Sequence, residues 1–166
     1  MQLDKPYSIG HWVEINCAGQ KCLGQVVEIS WRATLMQSVT DEMMTLPNRL
    51  IAQSQVSNFS DANNPPMRSL VFKFDYITPF NEVESILIEA TKQIPEILKL
   101  PLPTVLIVDN TDWAYQCKLI FWIKDFGQQA QIKTLLMREC LTRLSSAGLL
   151  LSTPIVRVQN LPPISD

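Results

Sequence analysis

Few side chains in this sequence could perform catalysis or bind a metal. The 166 residues include one histidine, His11, and four cysteines, Cys17, Cys22, Cys117 and Cys140. A Ser–His–acid or Cys–His nucleophile would have to use His11, which stands at the start of a predicted strand, where a histidine is usually structural. A zinc site usually takes four ligands, and only one imidazole is available. We therefore predict that the chain is not an enzyme and holds no metal or cofactor.

The remaining polar motifs indicate turns and exposed surfaces. The five glycines are isolated from one another, so none belongs to a glycine-rich phosphate loop. Asp109 and Asp112 flank one predicted turn, and Asp41 with Glu42 forms another, which are common places for acidic residues. The sequence therefore does not indicate a pair of catalytic carboxylates.

Four aromatic residues, Trp31, Trp113, Phe121 and Trp122, could form a stacking platform for nucleic-acid bases. At strand spacing, such residues are more often core or subunit contacts. The formal net charge is −2, the isoelectric point is about 5.4, and no run of arginines or lysines accompanies the aromatics. Because nucleic-acid binding relies on basic surfaces, we predict no nucleic-acid partner.

Length and hydropathy limit the possible architectures. A chain of 166 residues can form one full domain or two small ones. The mean hydropathy of +0.07 fits either a surface covered by oligomerisation or a well-filled core. The first residues lack a charged start followed by an apolar stretch, and no apolar run reaches the roughly 18 residues that span a bilayer. We expect the chain as given to be soluble, with free thiols.

The first sixty residues read as β-structure. Short strands are predicted over residues 12–15, 43–46 and 54–59, and Cys17 and Cys22 bracket a turn across which they could face each other. Residues 25–37 alternate with a period of two, which predicts one long strand that bends between two sides of a barrel. Pro47 and Asn48 end a strand, because proline cannot donate to the ladder and asparagine tolerates unusual backbone angles. These elements predict a small five-stranded barrel.

A polar linker with two prolines separates this part from a second, mixed part. The second part reads as strand 70–76, a helix that Thr78 caps and Pro79 opens, strands 105–108 and 114–123, helix 128–146 closed by Gly148, and strand 149–158. This order, βαββαβ, is the ferredoxin-like pattern. We predict an α+β protein with domains at 1–62 and 68–158, a linker at 63–67 and a C-terminal tail at 159–166.

Four motifs of the first part form a specific set at characteristic spacings. They are PYSIGHWVEI (6–15), GQVVEIS (24–30), LPNRL (46–50) and VSNFS (56–60). The set resembles the middle domain of the small-conductance mechanosensitive channel (MscS) family, and the part after the linker resembles that family's C-terminal α/β domain. His11 stands where the family usually has aspartate, and Asp41-Glu42 replaces the usual glycine-containing turn.

The resemblance implies both a fold and a function. It implies that the first domain is an Sm-like barrel, that the chain assembles as a homo-heptamer around a hollow vestibule, and that ions and small solutes pass through it. It also implies membrane helices upstream and a location on the cytoplasmic side of the inner membrane. The family-motif positions are Gly10, Gly24, Pro47, Asn48, Asn58 and Phe59. A purely structural interpretation of these six, as turns, a strand break and core, remains open.

Two other functions fit the same predicted fold. An Sm-like RNA-binding module is one, although the acidic balance of the chain argues against it. A small-ligand regulatory domain built on the ferredoxin-like half is the other.

Overall fold

A computed structural model describes residues 7–17, 19–61 and 63–152. Within these ranges, the first domain shows five strands and one short helix, and the second shows three strands, two helices and a 3-10 turn. In chain order they are β1 (Trp12–Cys17), β2 (Gln20–Ile29), β3 (Ala33–Ser38), β4 (Met43–Pro47), α1 (Asn48–Ile51), β5 (Gln55–Asn58), β6 (Met67–Asp75), α2 (Phe80–Thr91), β7 (Thr104–Asn110), β8 (Ala114–Trp122), the 3-10 turn Phe126–Gln128, and α3 (Gln129–Ser146).

The first domain is an antiparallel sheet with strand order β4-β3-β2-β1-β5. Alternation along β1 places Val13 and Ile15 on one face, where both are fully buried. Val26, Met36 and Ile51 complete the same core. Within the described residues, β4 and β5 are the two edges of an open sheet. The number of strands equals the five predicted for the barrel, but only because residues 25–37 contribute to two strands where one was predicted, and the sheet is open rather than closed.

The prediction of one long strand over residues 25–37 is wrong. β2 ends at Ile29 and β3 begins at Ala33. The Ser30 hydroxyl donates to the Ala33 carbonyl (2.8 Å) and accepts from the Ala33 amide (3.1 Å), which closes a turn. A bulge between Val26 and Glu28 also shifts the alternation, because one extra residue on β2 reverses which side chains face the core. Because apolar residues lie on both sides of the turn, the sequence still reads as one alternating strand.

The second domain packs two helices on one face of a three-stranded sheet of order β6-β8-β7. β8 is central, and its residues Tyr115, Cys117, Leu119 and Phe121 share the buried face, as predicted. The apolar faces of α2 and α3 cover them and complete this larger core, with Val83, Leu87, Ile132, Leu136, Cys140 and Leu144.

The predicted end of α3 is correct, whereas the predicted cap at the start of α2 is wrong. Gly148 lies just after α3 with φ +73°, and its amide donates to Ser145 while the Leu149 amide donates to Leu144 (2.9 Å), a Schellman motif as expected. At the start of α2, Pro79 precedes the first helical residue and no side chain caps it, so the cap predicted at Thr78 is wrong.

The predicted last strand, 149–158, lies within the described residues only as far as Ser152. The Ser152 amide donates to the Lys73 carbonyl of β6 at 2.8 Å. Residues 153–158 and the predicted tail, 159–166, lie outside the described residues. Among the helices in the described ranges, none is both long and apolar enough to cross a membrane.

Candidate functional site

Asn48 connects the end of β4 to the turn between β2 and β3. Its side-chain amide donates to the carbonyls of Ser30 (2.9 Å) and Trp31 (3.2 Å), and its side-chain oxygen accepts from the Thr34 hydroxyl (2.9 Å). Its backbone amide donates to Arg32 (2.9 Å). The Asn48 side chain thus acts as both donor and acceptor toward the β2–β3 turn, which lies more than ten residues away in the chain.

Pro47 stands before Asn48 at the end of the edge strand β4, opposite Ala33. Its extended backbone (φ −59°, ψ 129°) leads directly into α1. Because proline has no amide to donate, it ends the pairing at this point, which is the role predicted for it.

The two motif glycines meet different requirements. Gly24 lies inside β2, where an added Cβ would be only 2.6 Å from the Gln37 carbonyl oxygen. Gly10 has φ +89° in open space, and its amide donates to the Val26 carbonyl at 2.7 Å. Gly24 therefore permits close approach of two strands, and Gly10 permits the turn that brings the chain onto β2.

Asn58 ends β5 beside His11. Its side-chain oxygen accepts from the Ser60 amide at 2.9 Å, and its side-chain nitrogen lies 3.2 Å from His11 Nδ1. The Ser60 hydroxyl in turn accepts from the Trp12 amide at 2.9 Å. His11 is therefore part of a polar network that fixes the start of β1, which agrees with a structural role for the single histidine.

Phe59 contacts the second domain. Its ring stacks on Phe126 with 4.5 Å between centroids, and the Trp12 ring lies 5.6 Å from the same Phe126 ring. The Phe59 amide donates to the Trp12 carbonyl at 2.8 Å. Phe126 is only 4% exposed. These three rings, together with Arg68, form what we call the interdomain joint.

Arg68 also packs on the Phe126 ring. Its guanidinium carbon lies 4.6 Å from the Phe126 ring centroid, and its Nε donates to the Gln129 side chain at 2.7 Å. Burial lowers the pKa of the Arg68 guanidinium from its usual value. Next to Phe126, Gly127 leaves room for Trp12, since a Cβ there would be 2.9 Å from the indole nitrogen. The sequence pattern gave no sign of Arg68 and Phe126 as joint residues, because they come from separate elements of the second domain.

Five of the six motif residues thus fall into three groups. Pro47 and Asn48 organise the β2–β3 turn, Gly10 and Asn58 organise the entry to β1, and Phe59 belongs to the joint. Gly24 stands apart in the middle of the sheet. The contacts described for these residues are with backbone and side chains of the fold.

Two of the four thiols, those of Cys117 and Cys140, are buried. Burial raises the pKa of Cys117 to about 11 and that of Cys140 to about 12, so both stay protonated at neutral pH. Cys17 pairs with Gln20 across the hairpin and Cys22 pairs with Ile15, so the two cysteines are offset rather than directly opposed. Within the described residues, no three metal-binding side chains come together.

The four aromatic residues considered for base stacking do not share a surface. Trp31 is 87% exposed at the β2–β3 turn of the first domain, whereas Phe121 is fully buried in the second. Trp113 lies under the Lys73 ammonium group, 4.4 Å from its ring centroid. Trp122 follows Phe121 directly on β8 and therefore points to the opposite face.

Comparison with known families matches both domains to one channel family. The family described as "Mechanosensitive ion channel, beta-domain" matches residues 1–61, and "Mechanosensitive ion channel MscS, C-terminal" matches residues 69–149.

Two curated relatives agree. The small-conductance mechanosensitive channel MscMJ of Methanocaldococcus jannaschii is 26% identical over 130 residues, which are 75% of this chain and 35% of that protein. An uncharacterised MscS family protein of Aquifex aeolicus is 32% identical over 97 residues, 58% of this chain and 24% of that protein. The matched part of this chain thus spans about a third or less of either relative.

Solved structures share the fold. The closed-state crystal structure of Helicobacter pylori MscS superposes with a TM-score of 0.66 at 16% identity, over 97% of this chain and 62% of that one. Wild-type Arabidopsis thaliana MSL1 gives a TM-score of 0.68 at 16% identity, over 93% of this chain and 54% of that one. With two adjoining family domains matched in order, the chain belongs to the MscS family of mechanosensitive ion channels and carries its β domain and its C-terminal domain.

Proposed function

We propose that this chain is the cytoplasmic vestibule part of a mechanosensitive channel that releases solutes under osmotic stress. The observation that carries the proposal is the tandem match of both domains, residues 1–61 and 69–149, to one ion-channel family. In this proposal the chain lies on the cytoplasmic side of the inner membrane, below upstream membrane helices. It is not an enzyme; ions and small solutes pass through the space that it encloses.

The proposal includes the finer fold. An Sm-like barrel would close by bringing the edges β4 and β5 together, and the order β4-β3-β2-β1-β5 leaves these two strands available for that closure. A ferredoxin-like sheet needs a fourth strand beside β6. The hydrogen bond from the Ser152 amide to the Lys73 carbonyl supports it, because Ser152 then lies beside the edge of β6 that β8 does not occupy. The proposed domains are residues 1–62 and 68–158.

The vestibule would form from seven copies of the chain. Apolar residues on an exposed sheet edge support self-association, since such an edge offers unpaired backbone groups and apolar area to a neighbour. On the edge strand β7, Leu106, Ile107 and Val108 are 45%, 54% and 42% exposed. In the first domain Trp31 is also exposed, and a second copy is the partner we assign to these surfaces.

The motif residues would keep each copy rigid enough to form a ring. Asn48 fixes the β2–β3 turn through three side-chain hydrogen bonds. Phe59 fixes the first domain to the second through its contact with Phe126. We propose that these contacts set the angle between domains and hence the shape of the vestibule.

A chimeric channel tests the proposal. Residues 7–152 replace the matching segment of the Methanocaldococcus jannaschii relative, and the purified chimera is placed in liposomes and patch-clamped under suction. We expect pressure-activated currents. A chimera that reaches the membrane and assembles like the parent channel, yet passes no current at any pressure below membrane rupture, would count against the vestibule role.

A further inference from the structure

We propose that the second domain carries a binding site for an amphipathic anion, one anionic head group on an aliphatic tail. The site is the cavity between the end of α2 and residues 94–103, which we call the α2 cavity. Its volume is about 740 Å³, within the roughly 300–1,000 Å³ typical of small-molecule sites. This inference goes beyond the channel role and does not depend on it.

The floor of the α2 cavity is aliphatic. Ile94 and Ile97 line it and are only 7% and 6% exposed, and both belong to the core of the domain. Thr91 also lines it, but its hydroxyl is already bonded to the Ile88 carbonyl at 2.7 Å. Leu102, 69% exposed, stands at the mouth. A bound alkyl chain would therefore displace water and contact aliphatic side chains, and it would leave the Thr91 hydroxyl with its hydrogen bond.

The rim of the cavity is positively charged. Lys92, Lys99 and Lys124 line it, and no aspartate or glutamate does. Lys92 is paired with Glu89 at 2.7 Å. Within the described part of the chain, no carboxylate lies in ion-pair distance of the other two ammonium groups. Lys99 and Lys124 are therefore available to bind one anionic head group.

The wall that carries these two lysines is fixed by backbone pairing. The Leu98 amide donates to the Trp122 carbonyl (2.8 Å), and the Lys124 amide donates to the Glu96 carbonyl (3.0 Å). Ile97 and Ile123 form an antiparallel bridge between these bonds. The backbone of Lys124, and that of Leu98 next to Lys99, is therefore held in place before a ligand binds.

Two other cavities of the same domain lack this combination. The cavity between α2 and α3 is lined by Glu89 and Arg143, so its charges are mixed. The cavity beside Tyr76 is lined by Asp109 and by no lysine or arginine. Positive charge over an aliphatic floor distinguishes the α2 cavity and identifies an anion with an apolar tail as its ligand.

Titration calorimetry of the full 166-residue chain with sodium decanoate, below its micelle concentration, tests the proposal. We expect saturable binding of one decanoate per chain. Acetate, which has the head group without the tail, and decyltrimethylammonium, which has the tail with the opposite charge, should each bind at least about tenfold more weakly.

Variants locate the site. The double variant Lys99→Gln with Lys124→Gln should weaken decanoate binding about tenfold or more, since it removes two charge-assisted contacts. Leu102→Trp should weaken it by filling the mouth. Lys133→Gln, an exposed change on α3, is the matched control and should leave the affinity unchanged.

Several outcomes would overturn the proposal. They are a titration that does not saturate, equal affinity for the cationic amphiphile, and a double variant that binds like the unmodified chain. If a second copy of the chain fills the cavity instead, decanoate will not bind and Leu102→Trp will lower the sedimentation coefficient.

Discussion

The ring of Phe59 stacks on the ring of Phe126, with 4.5 Å between centroids and 26° between planes. Phe59 follows the last strand of the first domain, and Phe126 precedes the last helix of the second. Trp12 and Arg68 enclose the same ring from either domain. The domains therefore share an aromatic contact in addition to the chain that joins them. A substitution at either ring should lower the stability of both domains.

A double-mutant cycle measures this coupling. Phe126→Ala should lower the free energy of unfolding by about 3–5 kcal/mol, because it empties a buried aromatic site, and Phe59→Ala should cost less because Phe59 is only half-buried. The effects of the two substitutions should be non-additive by about 1 kcal/mol, which is typical of an aromatic pair. Urea unfolding of the four proteins supplies the values.

The matched control pairs Phe59→Ala with Phe80→Ala. Phe80 packs edge-on against Tyr115 in the second domain, 6.2 Å between centroids, and Tyr115 is not a joint residue. These two substitutions should be additive within about 0.5 kcal/mol. Equal coupling in both cycles would show that the joint is not a specific contact.

Asn48→Ala should lower the free energy of unfolding by about 2 kcal/mol. The substitution leaves the carbonyls of Ser30 and Trp31 and the Thr34 hydroxyl without the partners they have now. Each hydrogen bond contributes about 1 kcal/mol net of exchange with water, and the exposed bond to Trp31 contributes least. Asn64→Ala, an exposed change between the two matched family domains, is the control and should cost less than about 0.5 kcal/mol. Thermal melts of both variants test this prediction. Equal melting temperatures would show that the Asn48 side chain does not stabilise the β2–β3 turn.

Gly24→Ala should lower the free energy of unfolding by about 2 kcal/mol through overpacking. The new methyl group would meet the Gln37 carbonyl at 2.6 Å, and a backbone atom in the centre of a sheet cannot move aside easily. Gly10→Asn is the comparison, because Gly10 needs a positive φ rather than space, and asparagine tolerates that region at about 1 kcal/mol or less. If the Gly10 variant proves the less stable of the two in urea, this explanation of Gly24 fails.

Stability should fall at alkaline pH because of the buried thiols. Their folded pKa values, about 11 for Cys117 and about 12 for Cys140, lie above the ordinary 9.0 to which unfolding returns them. Above about pH 9 the unfolded chain binds fewer protons than the folded one, so the free energy of unfolding should decrease by up to about 1.4 kcal/mol per pH unit for each thiol.

Urea unfolding between about pH 7 and 10 checks this dependence. Cys140→Ala should show a shallower decline than the unmodified chain, because one of the two thiols is gone. Ile132→Val alters the same core but removes no titratable group. Relative to the unmodified chain, it should lower the free energy of unfolding by the same amount at every pH. Parallel declines in the unmodified chain and in Cys140→Ala would rule out the thiols as the cause.

Local patterns predicted α3 and β8 of the second domain well. Helical spacing and Gly148 located α3 to within one residue of Gln129–Ser146, and alternation along β8 identified its buried face. Residues on one face recur every three or four positions in a helix and every two positions in a strand, so the sequence alone shows this periodicity.

The first domain shows where such reasoning fails. The Ser30–Ala33 turn lies between two apolar stretches, and the bulge at Val26 shifts the alternation, so the letters read as one strand. The Phe59–Phe126 contact could not be predicted either, because no local pattern links residues so distant in the chain. The partners of Asn48 are likewise known only once the β2–β3 turn is placed.

The native mass of the chain tests the central claim most directly. Native mass spectrometry over a range of protein concentrations would be run on the unmodified chain and on Ile107→Lys, which charges the exposed edge of β7. The account predicts a seven-copy particle of the 18.9 kDa chain, about 132 kDa, that loses copies in the variant. A single-copy mass for the unmodified chain at every concentration would contradict the proposal that these two domains assemble into a vestibule.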